Sequence, residues 1–226
     1  AVSSVLGTRP YAKLAWETVR AVSKKTDVNL HPLLKKSKNV NNILLILLTS
    51  DRGLAAGFNS NIIKKTLAKI KALGDDVKIQ TVCVGKRGAD ALKRREVPIL
   101  ASFTEITNNT KFEEVLPIGR MVIDEFTKGN FDKVLIAYTD FVSAVTQNPI
   151  ILELLPLGSE EQTEQIGEVG STENEKVTEE AREYTFEPSP KEVLNQILPR
   201  LVETTVYQAV LESAASEHSA RMMAMR

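Results

Sequence analysis

Six consecutive apolar side chains, Ile43-Leu44-Leu45-Ile46-Leu47-Leu48, limit the fold more than any other feature of this chain. Without polar alternation the run cannot be a half-buried strand, and it is too short for a buried helix. A central strand covered on both faces satisfies it. The next segments fit such a strand. A loop from Thr49 to Gly57 leads to a helical pattern from about Asn59 to Leu73, with Ile62, Ile63, Leu67 and Ile70 on one side and Gly74 closing it. Val77–Val84 reads as a second strand, and Gly85–Gly88 opens a second helix. Ile99–Phe103 is a third strand, Phe112–Phe126 a third helix and Val134–Tyr138 a fourth strand.

Strands alternating with helices imply an α/β fold, a Rossmann-like and mostly parallel sheet with helices on both faces. After Tyr138 the rhythm changes. Phe141–Gln147 and Ile150–Leu155 are separated only by Asn148-Pro149, too little chain for a helical crossover, so an antiparallel hairpin is expected at one edge.

The two ends carry helical patterns of their own. Residues 11–25 place Leu14, Ala15, Thr18, Val19 and Val22 on one side, with Lys13, Glu17, Arg20 and Lys24 mostly opposite. From Ser189, with Pro190 in the first turn, Leu194, Ile197, Leu198, Leu201, Val202, Val206, Ala209 and Val210 recur at helical spacing. If this helix reaches Arg226 it spans about 57 Å at 1.5 Å per residue, more than a small domain can cover. Ser213-Ala214-Ala215-Ser216 and Ser219-Ala220 are small enough to let another helix approach closely. An antiparallel pair of terminal helices projecting from the α/β body is therefore expected, with Pro199 a possible site of a kink. The organisation is a helix in 1–26, a body in 40–157, an acidic segment in 158–183 and a helix in 189–226. The acidic segment holds nine Glu against Lys176 and Arg182 and is expected to be mobile.

Charge and composition exclude several functions. Twenty-nine basic and 29 acidic residues cancel, so the electrostatic attraction that dominates nucleic-acid binding is missing from the chain as a whole. The local basic run Lys86, Arg87, Lys93, Arg94 and Arg95 reads as the solvated side of a helix. No apolar run approaches the ~20 residues needed to cross a bilayer, so any membrane attachment is expected through partners. Cys83 is the only cysteine, set between Val82 and Val84, and reads as a buried thiol. His31 and His218, the only histidines, lie far apart in sequence, and no metal cluster or cofactor is expected.

The loop Ser50-Asp51-Arg52-Gly53-Leu54-Ala55-Ala56-Gly57-Phe58-Asn59 lies where a dinucleotide-binding protein places its phosphate loop, which leaves a nucleotide-dependent enzyme as one alternative. Its glycine spacing fits neither the G-x-G-x-x-G turn nor the Walker cradle. The structural reading gives Gly53 and Gly57 unusual backbone angles and makes Asn59 the cap of the next helix. Gly85-Lys86-Arg87-Gly88 reads as a turn, with an anion cradle as the alternative. A self-associating helical adaptor built on residues 189–226 is the third reading.

The same loop resembles the signature loop of the gamma subunit of rotary F-type ATP synthases. Ala214-Ala215-Ser216-Glu217-His218-Ser219-Ala220-Arg221-Met222-Met223-Ala224-Met225 resembles that family's C-terminal helix motif. Arg9-Pro10-Tyr11-Ala12, His31-Pro32-Leu33-Leu34, Leu154-Leu155-Pro156-Leu157 and Phe186-Glu187-Pro188-Ser189-Pro190 are similar to the family in the same order, so the likeness covers essentially the whole chain.

The resemblance implies a non-catalytic rotor of the central stalk. Its terminal helices form a coiled coil that turns inside a ring of alpha and beta subunits. Its body sits on the membrane c-ring, on the cytoplasmic face of a bacterial plasma membrane or the equivalent face of an organelle inner membrane. It also implies a structural role for Asp51, Arg52, Gly53, Gly57, Phe58 and Asn59. Tyr184, Phe186 and Glu187 become a foot against epsilon and the c-ring, and Arg221 a contact with the catch region of beta. Ala56 departs from a usual glycine, which bears on the backbone angle at that position. The family's N-terminal shaft segment and C-terminal tip have no counterpart here, so a chain shortened at both ends is expected.

Overall fold

The computed structural model describes residues 31–108, 110–158 and 190–225. The expected helix at 11–25 and the acidic segment lie outside them. Five strands form one sheet: β1 (Asn42–Leu48), β2 (Lys78–Val84), β3 (Ile99–Phe103), β4 (Lys133–Phe141) and β5 (Gln147–Leu155), in the order β3-β2-β1-β4-β5. All neighbours are parallel except β4 and β5. The helices are α1 (Phe58–Leu73), α2 (Lys86–Lys93), α3 (Phe112–Thr127) and α4 (Pro190–Ala224).

The apolar run sits at the centre of the sheet and is buried on both faces. Ile43, Leu45 and Leu47 join Cys83, Leu135, Ala137, Ile62 of α1 and Leu92 of α2. Leu44, Ile46 and Leu48 face the other way, onto Val115, Ile118 and Val122 of α3 and Leu198, Val202 and Val206 of α4. Because side chains alternate along a strand, a run buried in this way requires a helical layer on each side. The exposed Lys86, Arg87 and Lys93 of α2 surround the buried Ala89, Ala91 and Leu92, as an amphipathic helix requires, whereas Arg94 and Arg95, also exposed, lie in the turn that follows.

Gly74 ends α1 at φ 80°, with its N–H on the Lys71 carbonyl. Cys83 is buried, and burial pushes its thiol up to about 11, so it is protonated at neutral pH.

The hairpin stands at an edge as expected, but its turn is not at Asn148-Pro149. β4 runs on to Phe141, and the reversal lies over Ser143–Thr146. There Ser143 N donates to the Thr146 carbonyl, and its hydroxyl accepts from Thr146 N at 3.0 Å. Asn148 and Pro149 belong to β5, paired with Asp140 and Thr139. Pro149 is tolerated because β5 is an edge strand, where a missing N–H breaks no inner ladder.

The segment before β1 contributes core. Pro32–Leu34 forms a 3-10 turn capped by His31 Nδ1, which accepts from Leu33 N at 3.1 Å, and Leu33 and Leu34 are buried. Burial lowers the pKa of His31 below its ordinary value, favouring the neutral ring.

Asp132 fastens this segment to the sheet. Its Oδ2 accepts from Asn41 N and Asn42 N, both at 2.9 Å, and Oδ1 from the Ser37 hydroxyl at 3.0 Å. Burial alone would raise this carboxyl's pKa, but the backbone bonds from Asn42 and Asn41 and the Ser37 hydroxyl outweigh it and hold it below 3.8. A depressed folded value contributes stability that is fully present above the unfolded pKa and lost as pH falls through the folded one. Asp132→Asn is therefore expected to lower the urea midpoint near pH 6 and to lose most of that deficit near pH 2. A deficit independent of pH would contradict the assignment.

The long helix α4 runs unbroken through Pro199 for 35 residues, about 52 Å. It lies beside α3, where a Cβ on Gly119 would stand 3.3 Å from Glu203 Cα. Beyond that crossing its small side chains reach a strand. Ser213 Oγ accepts from Thr139 N at 3.2 Å, and Ser216 Oγ donates to the Thr139 carbonyl at 3.3 Å. Pairing of β4 with β1 ends at Ala137, so these two serines satisfy backbone groups of β4 beyond the end of that pairing. Their smallness suggests helix pairing; among the described residues their hydrogen-bonding partner is β4.

Candidate functional site

The strand order reverses direction between β1 and β4, and in open α/β sheets the crevice beyond the carboxyl ends of such strands is where ligands bind. Here protein fills it. Ala55 and Phe58 pack against Ala220 of α4, all buried. The neighbouring phosphate position, the first turn of α2, is also occupied from within. Gly85 N donates to Phe103 O, Lys86 N to Asp51 Oδ1, Arg87 N to Ser50 O and Gly88 N to Thr49 Oγ1, at 2.8–3.1 Å. An anion would have to displace four acceptors that the chain itself supplies. A cleft of about 220 Å³ remains beside Phe58, lined also by Thr139, Val145, Pro149, Ala220 and Met223. That is smaller than the roughly 300–1,000 Å³ of ordinary ligand pockets.

The loop residues expected to be structural form a tied assembly. The Asp51 carboxylate spans two elements, with Oδ1 on Lys86 N and Oδ2 accepting from Glu105 N at 2.8 Å. Asn59 is not the helix cap. Gly57 occupies that position without a side-chain bond, and Asn59 lies inside α1, where its Oδ1 accepts from Ser50 N at 2.9 Å and its Nδ2 donates to Ser50 Oγ at 2.8 Å. Arg52 is exposed, and Phe58 is buried in the crevice.

The unusual angles also fall elsewhere than expected. Gly57 has φ −79°, whereas Leu54 at φ 61° and Ala56 at φ 45° are left-handed. Gly53 is not among the residues of positive φ. Left-handed backbone costs an L-residue roughly 1–2 kcal/mol, partly offset in glycine by its greater unfolded freedom. Ala56→Gly is therefore expected to stabilise the chain by about 0.5–1 kcal/mol, read as a raised urea midpoint. A lowered midpoint would refute the strain at that position.

Arg221 joins this loop to α4. Its Nη1 donates to the Gly53 carbonyl at 2.7 Å and its Nη2 to Glu217 Oε1 at 2.5 Å. The two motifs singled out in sequence, 168 residues apart, thus meet in space. Sequence reasoning missed the role of Thr49 and the bonds made by Gly85, Ser213 and Ser216. The signal for Gly85 was the Gly-Lys-Arg-Gly turn itself, whose first amide serves the end of β3 and whose other three serve the loop after β1. Tyr184, Phe186 and Glu187 lie outside the described residues. Among the described residues there is no cluster of three or more His, Cys, Asp or Glu placed to hold a metal, and no helix long and apolar enough to cross a membrane.

The family model described as ATP synthase matches residues 1–226. An ATP synthase gamma chain of Heliobacterium modesticaldum is 38% identical over 226 residues, covering 100% of this chain and 74% of that protein. This chain belongs to the ATP synthase gamma-chain family. A gamma chain of Maridesulfovibrio salexigens is 36% identical over 220 residues, covering 96% of this chain and 71% of that one. Among solved structures, the central stalk and c-ring structure of the Tetrahymena thermophila mitochondrial ATP synthase includes a chain that aligns with TM-score 0.62 at 24% identity, over 98% of this chain and 97% of that chain. A chain of the rotor of the Euglena gracilis mitochondrial ATP synthase aligns with TM-score 0.53 at 17% identity, over 98% and 87%. At those identities the likeness speaks for the fold alone.

Proposed function

We propose that this chain is the rotor of an ATP synthase central stalk, a subunit without catalytic groups that couples ion-driven rotation of a c-ring to ATP synthesis in the ring of alpha and beta subunits. The observation that carries this reading is the likeness to gamma chains along its whole length. The geometry agrees: the crevice where a related fold holds a nucleotide is packed with side chains, and the adjoining helix amides are taken. Among the described residues, the loop after β1 and the α2 turn leave no open cradle for a nucleotide.

In this reading residues 40–157 are the body, and 1–26 and 189–226 pair as the base of a coiled-coil shaft. The acidic stretch 158–183 lies between body and shaft. Tyr184, Phe186 and Glu187 form the foot that meets epsilon and the polar loops of the c-ring, and Arg221 lies towards beta. Asp51, Arg52, Gly53, Gly57, Phe58 and Asn59 serve structure. Attachment to the membrane, on the cytoplasmic face in bacteria or its organellar equivalent, runs through these partners.

Co-purification with the epsilon subunit tests the foot and the assembly together. The chain is expected to migrate with epsilon, and the triple variant Tyr184→Ala, Phe186→Ala, Glu187→Ala to migrate apart from it. Independent migration of the unmodified chain and epsilon at tens of micromolar would remove the reading's main support.

A further inference from the structure

We propose that Arg221 is a positioning residue that locks the outer end of α4 to the loop Asp51–Gly57, so that this loop restrains the helix from turning against the α/β body. The inference rests on the central-stalk reading, because only a chain that carries torque needs such a restraint.

Along most of its length α4 is held by apolar packing, from Leu194 to Val210. That attraction is non-directional, and small side chains can slide past one another with little cost. Directional holds are added by Arg120 of α3 on Glu203, by Tyr207 on the Thr110 carbonyl, by the serines on Thr139 and, furthest out, by Arg221 on Gly53. Arg221 lies eight residues past Ser213, about 12 Å further along the axis. A fastening at the outer end opposes twisting and tilting there, which the inner contacts alone do not.

The loop that receives Arg221 is built as a stiff post. Its root is tied to the ends of three parallel strands through Ser50 after β1, the Asp51 carboxylate on the α2 turn after β2, and the same carboxylate on Glu105 after β3. Its tip carries Leu54 and Ala56 in left-handed backbone, a conformation that persists only where surrounding structure enforces it. The Gly53 carbonyl lies beside this strained pair, and Arg221 is its donor. Glu217, one turn earlier on α4, takes the other end of the guanidinium and aims it. The fixed fork of arginine makes both bonds at once, and a lysine ammonium cannot reproduce that geometry.

The test combines two readouts on Arg221→Gln, Arg221→Lys, Asp51→Asn and the Arg221→Gln/Asp51→Asn double variant. Hydrogen exchange on the full chain alone should show amides in 53–58 exchanging at least tenfold faster in Arg221→Gln, less so in Arg221→Lys, with the Lys86 and Glu105 amides unchanged in both. In the assembled ATP synthase, ions pumped per ATP hydrolysed should fall severalfold in Arg221→Gln and in Asp51→Asn, and no further in the double variant. Unchanged exchange at 53–58 in Arg221→Gln overturns the lock. Intact pumping despite faster exchange, or losses that multiply in the double variant, overturn its mechanical role; multiplied losses mean that Arg221 acts through a neighbouring subunit. If the unmodified chain supports no pumping, the central-stalk reading fails, and with it the lock's mechanical role, while the exchange result still decides whether the contact exists.

Discussion

Gly85→Ala is expected to cost more than about 4 kcal/mol, enough to leave a domain of ordinary stability largely unfolded. Gly85 is buried at the end of β2 with φ +99°, and a Cβ there would stand 2.1 Å from the Thr49 carbonyl oxygen and 2.6 Å from its carbon. Both atoms are backbone, held in turn by the bond from Thr49 N to Val84 O at 2.8 Å, so nothing flexible can yield. Gly129 separates the two contributions to this cost. Its φ is +78°, but a Cβ added there would meet nothing within 4 Å, so Gly129→Ala should cost only about 1 kcal/mol. Urea unfolding of both variants decides the matter. Equal losses would mean that the turn has room for a methyl group.

The second large effect is expected at Ser213. It is wholly buried against β4, and its hydroxyl is the acceptor for Thr139 N. Ser213→Leu enlarges the side chain in a packed contact, which typically costs about 1–3 kcal/mol, and leaves a buried N–H without its acceptor, roughly another 1–3 kcal/mol. A combined loss of about 3 kcal/mol or more is expected, with Ser213→Ala losing only the hydrogen-bond part. Urea midpoints should rank the unmodified chain above Ala and Ala above Leu. Leucine tolerated within about 0.5 kcal/mol, the usual range of surface changes, would show that α4 does not sit tightly on β4.

These two residues also mark what the sequence could and could not convey. The sheet was legible because its signal is local: a run buried on both faces, such as Ile43–Leu48, has few places to go in a chain of this length. Helix ends with a glycine stop, such as Gly74, were legible for the same reason. Bonds between distant segments were not. Asn59 follows a glycine-rich loop and precedes a helical pattern, which makes it look like a cap, yet its amide turns back to Ser50 because that backbone would otherwise be unpaired. Ser213 and Ser216 announce smallness, but not that β4 would outrun its pairing with β1 and need a donor and an acceptor there. The hairpin turn was illegible because Asn-Pro is a turn signal that an edge strand can absorb. The loop and the C-terminal motif were each recognisable through family resemblance, whereas the bond from Arg221 to Gly53 that joins them emerges only in three dimensions.

The most direct measurement is rotation itself. The full chain is assembled with alpha and beta subunits fixed to a surface, a probe is attached to the exposed face of α1, and ATP is supplied. Continuous turning in one direction is the predicted result. A probe that stays still while the same complexes hydrolyse ATP at full rate would contradict the assignment of this chain as the rotor.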